Sequence, residues 1–146
     1  MKEHIVLAPK QVEHLFEAAW VVIDDWYFKM KKLIDVDDIL NGNSSIIDEE
    51  HIEDARDSLG RSNCTKADVI KEYLKGEYPK RPLYKTLELL KGFKIKFTKK
   101  GDHHHDGQLV EYVIDLVSPN GSKTKLSTLM CLAVGFNVHD KAVIKA

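Results

Sequence analysis

The apolar residues of this chain change period at Gly92. Before it, Val12, Phe16, Ala19, Ile23, Trp26, Met30 and Leu33 recur at alternating steps of four and three. Leu15, Val22, Tyr27 and Ile34 widen that stripe, which predicts a long amphipathic helix over about residues 10–34. After Gly92, Phe93, Ile95 and Phe97 alternate with lysines, the period of a half-buried strand. The switch predicts an α+β protein with two parts. Residues 1–91 form an acidic helical region, and residues 92–146 form a small antiparallel three-stranded sheet with one packed carboxy-terminal helix.

Turn and cap residues place the remaining elements. Asn41-Gly42-Asn43-Ser44-Ser45 is the expected linker. A second helix follows it, with Asp48, Glu49 and Glu50 at its positive end, Ile52, Ala55 and Leu59 on its apolar side, and Gly60 beyond it. Thr65 and Asp68 open a third helix that Gly76 ends, and Pro82 opens a fourth carrying Leu83, Leu87 and Leu90. In the sheet, the loop from Lys99 to Gln108 leads to a second strand over Val110–Val117. Pro119-Asn120-Gly121 predicts a type I′ hairpin turn, and Lys123–Leu126 a short third strand. Leu129, Leu132, Ala133 and Phe136 then predict a last helix over Thr128–Phe136.

Charge is unevenly divided along the 146 residues. The net charge is −1, yet residues 1–60 hold 6 Lys or Arg against 14 Asp or Glu, and residues 61–100 hold 12 against 4. Such a split serves either two different partners or mutual neutralisation between the two parts. With 43% hydrophobic and 31% charged residues the chain can bury a core, which excludes disorder as the main state. The uncharged run Ala18–Ile23 is far short of the ~20 apolar residues needed to span a bilayer. The start of the chain lacks a secretory pattern, and Cys64 and Cys131 have no metal or disulfide spacing. An intracellular protein without a membrane partner is therefore expected, nuclear if the source is a eukaryote.

The order strand, loop, strand, Val117-Ser118-Pro119-Asn120-Gly121, basic strand and apolar helix resembles the methyl-CpG-binding domain and its AP2-type and integrase amino-terminal relatives, over residues 92–138 only. The resemblance implies a sheet lying on the DNA major groove, a long first loop reaching along the duplex, and two arginines reading guanines. Aligned on Pro119, the aspartate that braces the first arginine falls at Val113, the tyrosine near the methyl groups falls at Asp115, and the second arginine falls at Lys125. Lysine keeps the charge but lacks the fork that matches guanine O6 and N7. The expected function is therefore sequence-tolerant binding of duplex DNA, in a nucleic-acid or chromatin-associated setting, without methyl-CpG readout. Lys94, Lys96, Lys99, Lys100, Lys123 and Lys125 are the expected backbone contacts.

Apart from that resemblance, two short helices followed by a hairpin also suit a winged helix with the same lysines on DNA. Trp20, Trp26, Tyr27 and Phe28 lie on different sides of the first helix, more apolar surface than short helices can cover, and predict a protein interface or self-association there. The alternative function is an adaptor or inhibitor whose acidic helices occupy a basic partner. Asp102-His103-His104-His105-Asp106 invites a metal reading, with His139 as a distant ligand, but Asp106-Gly107 is a turn signal and the expectation is a solvated loop tip without metal. No phosphate loop, HExxH or nucleophile elbow occurs, so neither enzymatic activity nor a cofactor is expected.

Overall fold

A computed structural model describes residues 4–24, 33–41 and 83–146. In chain order they form β1 (His4–Leu7), α1 (Pro9–Asp24), β2 (Ile34–Asp35), α2 (Val36–Leu40), α3 (Leu83–Glu88), β3 (Lys94–Lys100), β4 (Leu109–Val117), β5 (Lys123–Cys131), β6 (Gly135–Phe136) and β7 (Ala142–Lys145). Two antiparallel sheets result, one of five strands in the order β2-β3-β4-β5-β6 and one pairing β1 with β7. The described part is mostly β. This replaces the expected three-stranded sheet with one packed helix.

Side-chain alternation sets the layers. Along β3 and β4, Ile95 and Phe97 and then Val110, Tyr112, Ile114 and Leu116 are buried on one face. Against that face lies α1, whose Val12, Leu15, Phe16 and Ala19 are buried at three- and four-residue spacing. Leu87 and Leu90 of the α3 region, Val36 and Ile39 of α2, and Leu7 and Ile144 of the small sheet complete the core. Burying each large apolar side chain contributes about 1.5–3 kcal/mol.

The predicted last helix is instead strand. Thr128–Cys131 continues β5 opposite Leu109–Tyr112 of β4, and the chain turns at Cys131–Val134 into β6. Along β5, Lys125, Ser127 and Leu129 are exposed while Leu126, Thr128 and Met130 are half-buried or buried, an alternation of period two. The Leu129-x-x-Leu132-Ala133 spacing mimics a helix stripe, but pairing along all nine residues of β5 outweighs local propensity. The predicted first helix reached residue 34; Ile34 and Asp35 instead pair with Ile95 and Lys94 of β3. The second and third predicted helices fall on residues 42–76, outside the described ones.

The expected type I′ turn is a three-residue loop, Pro119–Gly121, closed by a bond from the Ser118 N–H to the Ser122 carbonyl at 2.8 Å. A two-residue turn over Asn120-Gly121 would make Pro119 a paired strand residue that must donate an N–H, which proline lacks, so Pro119 joins the loop and Gly121 closes it in the left-handed region at φ +92°. A second glycine has a structural duty. Gly92 sits at φ +85°, donates its N–H to the Asp37 carboxylate at 3.0 Å, and leaves room for Pro119, whose Cγ would lie 3.0 Å from an added Cβ. Gly92→Ala is therefore expected to lower stability by about 1–2 kcal/mol through the left-handed backbone and that contact. Urea unfolding checks it; an unchanged midpoint would refute it.

Candidate nucleic-acid interface

The sheet face turned away from α1 collects most of the lysines. The strand register puts Lys94, Val117 and Lys123 side by side in one row, and Lys96, Asp115 and Lys125 in the next. Neighbouring strands lie ~4.8 Å apart and alternate residues ~6.7 Å along a strand, so four ammonium groups share a patch about 10 Å by 7 Å at its base. Thr98, Val113 and Ser127 form the third row, where Val113 is buried. Lys100, Glu111 and Leu129 form the fourth.

This arrangement sorts the six expected contacts. Lys94, Lys96, Lys123 and Lys125 come together at the Ser118–Ser122 end of the sheet. Lys100 shares their face but stands two rows beyond Lys96, with its ammonium 3.3 Å from Glu111. Lys99 lies on the opposite side of β3 with Ile95 and Phe97, is only 16% exposed, and pairs with Asp102 at 3.4 Å. A cleft of about 450 Å³ opens between Lys96, Asp115, Lys123 and Lys125, with Leu33 and Val117 as its apolar side.

Asp115 organises the patch. Its carboxylate lies 4.0 Å from the Lys125 ammonium, and the register sets Asp115 opposite Lys96 on β3. Exposed pairs of this kind contribute ~0–1 kcal/mol, so Lys125 is only weakly held by Asp115. Lys94, Lys96 and Lys123 have no ion pair among the described residues. Sequence reasoning missed Leu33 as a wall of the cleft, because its placement depends on β2 joining the edge of β3. Asp115 entered only as an alignment position, because its pairing with Lys125 depends on the three-residue loop Pro119–Gly121 and not on the expected two-residue turn.

The histidine loop does not reach outward along its whole length. His104 and His105 are exposed, but the His103 ring stacks on Tyr112 at 6.1 Å, with Nε2 3.4 Å from the buried tyrosine hydroxyl. The expectation of a solvated tip is corrected at His103, because the fully buried Tyr112 offers it both a ring face and a hydroxyl group. Gln108 ties the loop: its side-chain oxygen accepts the His104 N–H at 2.9 Å, and its own N–H donates to the His105 carbonyl at 3.2 Å. The Cys131 thiol donates to the Asp106 carbonyl at 2.9 Å. Among the described residues no group of three or more His, Cys, Asp or Glu is placed to hold a metal.

Of the expected protein-interface residues, Trp20 belongs to the backbone of α1 with its side chain outside the described part, and Trp26, Tyr27 and Phe28 lie outside the described residues. The rest of that stripe, Val12 to Ala19, is spent on the chain's own core. No helix among the described residues is long and apolar enough to cross a membrane. No protein-family model, curated protein or solved structure matches this chain.

Proposed function

We propose that the chain is a non-enzymatic nucleic-acid-binding protein that takes the phosphate backbone of duplex DNA on the face built from Lys94, Lys96, Lys123 and Lys125. One observation carries this reading: the register gathers four lysines into two adjacent rows around a single carboxylate. Ammonium groups on flexible stems act as point charges for phosphate and carry no base-reading fork, so the mode is tolerant of sequence and of cytosine methylation. Supporting it is the absence of arginine from the whole strand region 92–146.

A duplex titration of the full chain at several salt concentrations tests the proposal. Four phosphate contacts predict log affinity falling with log salt at a slope of about −3.6, and each Lys→Ala change in the patch should reduce the slope by about one. Lys99→Ala, on the other side of β3, should leave the slope unchanged. No binding at low salt would overturn the reading, and a preference for methylated CpG would overturn the backbone-only mode.

A further inference from the structure

The free edge of β5 carries a second site. β6 pairs with β5 only at Met130 and Cys131, followed by a bond from the Asn137 N–H to the Leu129 carbonyl at 3.0 Å. Beyond that point the chain leaves the sheet, and it touches β5 again where the Lys145 N–H donates to Thr124 Oγ1 at 3.0 Å. Between these two ties lies a cleft of about 280 Å³, with Lys125–Thr128 along one wall and Asn137–Ala142 along the other.

Backbone polarity follows from the strand period. The N–H and C=O of one residue point to the same side of an antiparallel strand, and every second residue points the same way. Since the Leu129 carbonyl points at β6, the backbone groups of Ser127 and Lys125 point into the cleft, and they have no hydrogen-bond partner there among the described residues. Val12, Phe16, Leu126 and Val138 make the cleft's floor apolar, whereas Lys125 stands on the open face of the sheet.

We infer that this edge accepts an extended peptide as an added strand, one whose side chains alternate between apolar and acidic. An added strand would bond to Lys125 and Ser127 through its backbone. Its side chains would point alternately down to the Val12–Phe16 floor and out beside Lys125 and Lys123, which calls for carboxylates on the outward side. The same lysines disfavour a second copy of β5 as the occupant, because an edge-to-edge pair would bring like charges together.

The test uses a labelled, end-capped peptide of alternating valine and glutamate and a control peptide with the same residues in two blocks. Fluorescence anisotropy with the full chain should show binding of the alternating peptide at least tenfold tighter than of the blocked one. Ser127→Pro removes an N–H that points into the cleft and fixes φ near −65°, a change edge strands tolerate, and with urea unfolding as the fold control it should weaken binding at least tenfold while leaving DNA affinity unaltered. Lys125→Glu, at an exposed position, should shift the preference to a peptide of alternating valine and lysine. Equal binding of the two valine–glutamate peptides, no binding of either, or unchanged binding by both variants would overturn the inference. Because Ser127→Pro spares every lysine, loss of peptide binding with DNA binding intact separates this site from the DNA-binding face.

Discussion

Charge reversal at Lys96 and Lys125 together is expected to weaken duplex DNA binding about a hundredfold at low salt. These two lysines flank Asp115 from β3 and β5 and form one of the two rows of the patch. A hydrogen bond to a charged group contributes ~1.5–3 kcal/mol, so losing two such contacts costs about 3 kcal/mol or more, and each 1.4 kcal/mol is tenfold in affinity. The introduced glutamates add repulsion in the same direction. Folding should be preserved, since the Lys125 side chain is 68% exposed and its pair with Asp115 is long. Anisotropy on a labelled duplex, with urea unfolding as the fold control, checks this. A loss below threefold in a folded variant would remove the patch from the DNA-binding surface.

Tyr112→Ala has the largest expected effect on stability. Tyr112 is fully buried at the middle of β4, meets Phe136 edge-on at 5.3 Å, and carries the His103 ring; Phe136 in turn lies 5.8 Å from Phe16 of α1. Removing the ring opens a cavity where helix, sheet and the histidine loop meet. Aromatic-to-alanine changes at such sites cost about 3–5 kcal/mol, a large part of the ~5–15 kcal/mol that holds a domain together. Tyr112→Phe keeps the ring and loses only the hydroxyl contact, so a cost of about 0.5–1.5 kcal/mol is expected. Urea or thermal unfolding of the three proteins gives the order; equal stability of the alanine and phenylalanine variants would show that the ring is not the keystone of this core.

Part of the lysine patch is legible in the sequence. The Lys94-x-Lys96 alternation with Ile95 and Phe97 places both lysines on the outer face of β3, but the register was not legible, since a two-residue Asn120-Gly121 turn pairs Asp115 with Leu126 and the three-residue loop pairs it with Lys125. The same alternation, carried two residues further, sends Lys99 inward with Phe97, so treating it as one of a set of exposed lysines overlooked the period of its own strand. His103 was misread for another reason. Its environment is Tyr112, nine residues away across a hairpin, and no local turn signal reports that contact.

The amino-acid sequence by itself determined the helix that begins at Pro9, the helix after Pro82, the strands β3 and β4 and the hairpin after Ser118, because each is written in a local period or in residues with restricted φ. Tertiary structure alone decided four things. Thr128–Phe136 became the end of β5, a turn and β6 although its leucines are spaced as in a helix, and Ile34–Asp35 left the helical stripe for the edge of β3. The chain's two ends met as β1 and β7, and the β5 edge remained open beside Asn137–Ala142. In each case the deciding contacts join residues far apart in the chain. A strand is stabilised by backbone bonds and cross-strand packing that its own sequence does not contain, so neighbours, and not propensity, select the state of a segment both periods can fit.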